Sequence, residues 1–154
     1  MADRTESSVV VDAAPAAVLA VIADFEDYPA WTGAVKQVEV LERQADGLGR
    51  RVRFVLDAGA IRDTYVLEYG WDFGADGTGT LSWGLVESTV LKALDGVYEL
   101  SAAGAGTKVR YSLAVDLRIP MLGMLRRKAE KAIIDTALNE LRKRVESGPP
   151  APAP

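Results

Sequence analysis

KVRYSLAVDLRIP (Lys108–Pro120) runs directly into MLGMLRRKAEKAIIDTALNELRKRVE (Met121–Glu146), and the period of the apolar residues changes at the junction. Val109, Tyr111, Leu113, Val115 and Leu117 recur at every second position, the pattern of a strand with one apolar face. Ile119-Pro120 opens the last element, where Leu122, Leu125, Ala129, Ile133, Thr136 and Leu141 follow a helical stripe. Arg126, Arg127, Lys128, Glu130 and Lys131 supply much of a charged outer face, and the basic run reads as solvated. A helix reaching Glu146 is ~40 Å long at ~1.5 Å per residue, enough to cross a small sheet. A sheet and a long helix each have an apolar face, and laying one on the other buries both. A strongly bent sheet leaves a gap under such a helix, and gaps of that kind hold apolar ligands.

The rest of the chain supplies the sheet. Glu6 to Val11 is a β-branched strand. Asp12-Ala-Ala-Pro15 reads as a helix entry, and Val18, Ile22 and Phe25 fall on one helical face. Pro29 stops that helix, and a further helical turn fits Ala30 to Val35. Alternation then takes over at Val38 and Val40, at Val52, Phe54 and Leu56, at Tyr65, Leu67, Tyr69 and Trp71, at Leu81, Trp83 and Leu85, and from Leu94 to Leu100. Asp/Gly turns separate these runs, which gives an antiparallel meander, with Gly96 marking a bulge or a close approach. The segment from Ser147 to Pro154 is a Pro/Ala-rich tail, read as disordered.

Composition removes whole classes of chemistry. The chain has 154 residues, 49% of them hydrophobic and 26% charged, the balance of one globular domain. A formal charge of −4 argues against a nucleic-acid partner. No apolar run reaches the ~18 residues of a membrane span, and the polar N-terminus lacks the apolar region of a secretory signal, so the reading is a cytoplasmic protein, with transient membrane contact left open. With no cysteine and no histidine, disulfides, thiol nucleophiles, Cys/His zinc sites, haem ligation by those residues and every histidine-dependent triad are excluded. Neither a metal nor a cofactor is expected. Gly47-Leu48-Gly49 and Gly104-Ala105-Gly106 join strand to strand and so lack the helix N-terminus of a phosphate loop.

Asp24-Phe25-Glu26-Asp27-Tyr28-Pro29-Ala30-Trp31, followed by Val35-Lys36-Gln37-Val38-Glu39-Val40, resembles a signature of the START-related helix-grip superfamily (SRPBCC), in its polyketide cyclase/dehydrase or coenzyme-Q-binding branch. Ala14-Pro15-Ala16-Ala17-Val18, Gly96-Val97-Tyr98-Glu99-Leu100, Gly106-Thr107-Lys108-Val109-Arg110-Tyr111 and the final helix match the same pattern. The resemblance covers roughly residues 5–146. It implies an α+β helix-grip fold: a highly curved antiparallel sheet of six to seven strands around the C-terminal helix, with two short helices after the first strand. It also implies a hydrophobic cavity between sheet and helix; members bind lipids, sterols, isoprenoid quinones or polyketides, and a minority are cyclases or hydrolases. These motifs mark turns and packing, so they specify the fold better than the function.

The domain is accordingly read as residues 1–146. Its candidate cavity wall is Val52, Phe54, Leu56, Tyr65, Leu67, Tyr69, Trp83 and Tyr98 from the sheet, with Leu122, Leu125, Ala129 and Ile133 from the helix. Tyr28 and Trp31 either pack the helix-to-strand turn or form the cavity rim. Asp57, Arg62, Asp63, Glu68, Glu87 and Asp116 are expected on the outer face or at strand ends; any that points inward needs a partner and becomes the first candidate for catalysis or ligand-head recognition. No spacing marks a catalytic residue. The function read from the sequence is non-catalytic binding of a hydrophobic small molecule: a lipid, isoprenoid quinone or polyketide. The alternatives are a polyketide aromatase/cyclase-type enzyme using Tyr, Arg or Asp in the cavity, and a protein-interaction module with a filled cavity.

Overall fold

Seven alternating segments pair into one antiparallel sheet, because each has an apolar face that only a shared core can bury. The computed structural model describes residues 4–57, 62–118 and 123–147. The strands are β1 (Thr5–Val11), β2 (Val35–Arg43), β3 (Gly49–Asp57), β4 (Arg62–Phe73), β5 (Gly79–Ser88), β6 (Leu91–Ala103) and β7 (Gly106–Leu117). Between β1 and β2 come α1 (Pro15–Ala23), a 3-10 turn (Phe25–Asp27) and α2 (Tyr28–Trp31); α3 (Gly123–Glu146) ends the fold. The spatial order is β1-β7-β6-β5-β4-β3-β2. Hairpins therefore build all but one neighbour pair, and the two short helices carry the chain from one edge of the sheet to the other.

Register places the large residues together. Trp83 pairs with Tyr69 on one side and Gly96 on the other, and Tyr98 pairs with Tyr111. Register shifts interrupt β2/β3, β4/β5 and β6/β7, and each adds bend and twist to the sheet. Gly96 is a close approach and not a bulge: a Cβ there would lie 2.2 Å from the Trp83 indole. Gly49 makes room for Phe25 in the same way, with the ring 2.8 Å from the missing Cβ.

Three expectations change. First, α1 ends at Ala23, with Asp24 leaving the helical region. Pro29 then sits in the first turn of α2, where its missing N–H costs nothing, so it opens a helix and does not close one. Second, β6 starts at Leu91, before Leu94, because a register shift between Leu91 and Ala93 lets the pairing with β7 continue.

Third, the buried face of α3 is Glu130, Ile134, Leu138, Leu141 and Val145, about one residue around the helix from the predicted stripe. Leu141 is common to both. Leu125 and Ile133 are 53% and 45% exposed and form no part of a cavity wall. The physical reason is Glu130: it belongs to the true stripe by spacing, yet its charge draws a pattern-based reading onto the Ala129–Ile133 line. Leu122, and the tail beyond Ser147, lie outside the described residues.

Candidate functional site

The concave face of the sheet gathers nearly every aromatic side chain. Phe25 meets Tyr28, Phe54, Tyr69 and Trp71 at centroid distances of 4.7–6.3 Å. The chain of rings continues from Tyr69 to Trp83, then to Tyr98 and Tyr111, while Phe54 stacks on Tyr65 at 5.5 Å. Alternation in β3 to β7 explains the convergence, since every second residue of these strands faces the same interior.

All five tyrosines of the chain belong to this interior. Burial raises each phenol well above its ordinary range, and neighbouring charges add to the shift, Asp63 at Tyr65 and Glu140 at Tyr98 among them. They therefore stay neutral and act as hydrogen-bond donors, not as phenolate bases. Tyr28 donates to the Ile22 carbonyl at 2.6 Å, which fixes this candidate rim residue as a packing element. The hydroxyls of Tyr65, Tyr69, Tyr98 and Tyr111 have no hydrogen-bond partner among the described residues. The indole N–H of Trp31, the other rim candidate, is shut off from solvent and unpaired.

At the end of the interior beneath the first half of α3 lies a space of about 80 Å³. Leu56, Tyr65, Leu91, Leu94, Val115 and Leu117 form its sheet-side wall, and Ala129 lies on the helix side. Three charged residues also line it: Asp63, Arg126 and Glu130. Their oxygen atoms are largely committed. Asp63, only 6% exposed, accepts from the Ser88 hydroxyl at 2.5 Å and from the Thr89 hydroxyl at 2.9 Å, fastening the β5–β6 turn. Glu130, 1% exposed, accepts from the Thr5 hydroxyl and from the Val115 N–H, both at 2.7 Å. β1 pairs with β7 only as far as Thr5 opposite Leu113, so Glu130 satisfies a β7 amide that lies past the end of that pairing. Arg126 has no partner of its own, and its Nε is closed off from solvent.

Of the candidate wall residues, Leu56, Tyr65 and Ala129 line this space. Val52, Phe54, Leu67, Tyr69 and Trp83 are buried in the core beside it, and Tyr98 packs against that core. The sequence reading missed Leu91, Val115, Asp63, Arg126 and Glu130. Asp63 carried a usable signal, because Asp63, Tyr65, Leu67 and Tyr69 share one strand face. So did Glu130, four residues before Ile134 and eight before Leu138. Among the described residues no three acidic side chains converge as metal ligands, and no helix is long and apolar enough to cross a membrane.

Comparison with known proteins agrees with this architecture. A START superfamily protein from Mycobacterium smegmatis superposes with a TM-score of 0.86 at 19% identity, covering 94% of this chain and 97% of that one. An aromatase/cyclase from a Streptomyces species gives 0.79 at 17% identity, covering 98% of each chain. A Thermus thermophilus protein gives 0.76 at 23% identity, covering 96% of this chain and all of that one. At these identities the likeness establishes the helix-grip fold. No curated protein matches the chain by sequence. Residues 2–146 match a family model described as polyketide cyclase / dehydrase and lipid transport, and the chain belongs to that family.

Proposed function

We propose that the chain binds a hydrophobic small molecule between the concave face of the sheet and α3, without transforming it. Family and fold point to hydrophobic-ligand binding or polyketide-cyclase-type chemistry. The observation that carries the choice is the polar inventory of the interior. It is rich in unpaired donors, the hydroxyls of Tyr65, Tyr69, Tyr98 and Tyr111, while its two carboxylates already hold protein groups. A general base has to be aimed at the proton it takes, and the oxygens of Asp63 and Glu130 are turned to Ser88, Thr89, Thr5 and Val115 instead. Unpaired phenols in an apolar wall instead suit a ligand with a broad apolar body and a few oxygen acceptors, such as a quinone, a polyketide or an acyl lipid. The space seen beside α3 is far below the ~300 Å³ of a typical small-molecule site, so a ligand of that size enters by displacing the first half of α3 outward.

The test is hydroxyl deletion. Tyr98→Phe and Tyr111→Phe keep the rings and remove the donors. Each is expected to leave the melting temperature within a few degrees and to weaken binding of a menaquinone or an aromatic polyketide several-fold, measured by quenching of tryptophan fluorescence. Unchanged binding in folded variants rejects the donor role.

One observation favours the cyclase reading: Asp63, Arg126 and Glu130 are among the residues around this space. There Arg126 would polarise a ketone oxygen. Turnover of a poly-β-ketone thioester to a cyclised product, abolished by Arg126→Gln, would replace binding with catalysis.

A further inference from the structure

We propose that the outer face of the first half of α3 docks on an anionic lipid bilayer, with Met124 and Leu125 entering the interface and Arg127 and Lys128 held by the charge of the lipid head groups. This surface is separate from the interior and does not depend on which molecule the interior holds. Two local rules are broken at the same place. A helix start favours acidic side chains, because its free N–H groups carry partial positive charge. α3 has no acidic residue in its first turn and carries Arg126-Arg127-Lys128 across its first and second turns instead. From Leu117 to Ala129 the chain has four basic residues and no acidic one, although its net charge is −4. Apolar side chains favour burial, yet Met124 and Leu125 are exposed, and Met124 is the most exposed large apolar side chain among the described residues. Sequences break such rules where a function compensates. The last turn of the same helix obeys them: Lys143 and Arg144 sit at the negative end of the dipole, and Val145 is buried.

Spacing puts the two anomalies side by side. Arg127 and Lys128 follow Met124 by three and four residues, and Lys128 follows Leu125 by three, so they are neighbours on the helix surface. Both bases are exposed and form no ion pair among the described residues, whereas Lys131, one turn on, is neutralised by Asp135 at 2.9 Å. An anionic bilayer relieves both defects together: the head groups attract the bases, and the interface takes the apolar pair. A stable protein interface uses ~20–30 residues a side, many more than this turn and a half of helix supplies. Docked in this way, the half-helix that covers the apolar space of about 80 Å³ lies at the bilayer surface.

Flotation of the full chain with vesicles of phosphatidylcholine alone, and of phosphatidylcholine mixed with phosphatidylglycerol, tests the docking. The mixed vesicles are expected to bind about tenfold or more tightly than the neutral ones, and to lose that advantage as salt rises. Arg127→Gln with Lys128→Gln is expected to remove about tenfold of the affinity for mixed vesicles. Met124→Ser with Leu125→Ser is expected to weaken the same binding severalfold at unchanged melting temperature, since both side chains are exposed. Lys108→Gln with Lys143→Gln removes the same charge from exposed bases elsewhere and is expected to leave binding close to that of the unaltered chain. Equal binding to both kinds of vesicle, no binding to either, or an equal loss in the Lys108/Lys143 variant overturns the docking. So does a concentration-dependent dimer that the Met124/Leu125 variant dissolves, which would make this face a contact between two copies. Ligand binding in the interior, read by tryptophan fluorescence without vesicles, stands or falls separately.

Discussion

The two halves of α3 do opposite work. From Ile134 to Glu146 the helix buries Ile134, Leu138, Leu141 and Val145 and is tied to the short helices and their loops. Glu140 accepts from the Thr32 hydroxyl at 3.0 Å and the Gly33 N–H at 3.1 Å. Arg144 pairs with Asp27 at 2.6 Å, and Glu146 accepts from the Asp12 N–H at 2.9 Å. From Gly123 to Ile133 the helix has Met124 at 75% and Leu125 at 53% exposed, and among the described residues its only fully buried side chain is Glu130. The first half therefore roofs a space and the second half fastens the roof. Fold and site can coexist on one helix because the apolar burial, at ~1.5–3 kcal/mol per large side chain, is concentrated away from the cavity.

The largest effect that would break this contrast lies at the aromatic end. All five tyrosines are held neutral by burial, with folded values raised above the unfolded one near 10. The stability this provides is fully present below pH 10. It is lost as pH rises, because the unfolded chain ionises first; each phenol contributes about 1.4 kcal/mol of loss per pH unit above that value. The expected result is a single cooperative alkaline transition in which tyrosine ionisation, followed at 295 nm, coincides with unfolding by circular dichroism. Tyrosines that titrate near 10 in the folded chain would mean that the interior is wet and the closed end is open.

Next in size is the fastening half. Leu141→Ala and Ile134→Ala are each expected to cost ~2–5 kcal/mol in urea denaturation. Leu125→Ala and Ile133→Ala are expected to stay within ~0.5 kcal/mol. Equal costs in the two sets would reverse the assignment of the buried face.

That face is also where sequence and structure part. The meander and the inward set Val52, Phe54, Tyr65, Leu67, Tyr69 and Trp83 follow from two-residue alternation, which is unambiguous once a strand is recognised. A helical stripe is less secure, because two lines one residue apart share members such as Leu141, and an apolar-only rule prefers the wrong one. Here the right line contains Glu130, whose burial depends on Thr5 and Val115, partners more than a hundred residues away in one case. Asp63 likewise depends on Ser88 and Thr89 across a bulged hairpin. Long-range pairing of a charge leaves no local trace in the sequence, so the residues closest to the cavity's chemistry were the least legible.

Glu130 provides the smallest and sharpest test, because it belongs to both halves of the contrast: buried like the second, cavity-lining like the first. Glu130→Ala strips an acceptor from the Val115 N–H and the Thr5 hydroxyl and is expected to cost ~1–3 kcal/mol. Glu130→Gln keeps one carbonyl oxygen and should cost less. If the first half of α3 is a roof held chiefly by this latch, the loss is local: exchange protection of the Val115 amide should fall while the amides of Leu138 and Leu141 keep theirs. Ligand association should then speed up in Glu130→Ala, since the barrier to entry is the lifting of this half-helix. Uniform loss of protection along α3 would mean that the helix moves as one unit, and that entry to the cavity follows another route.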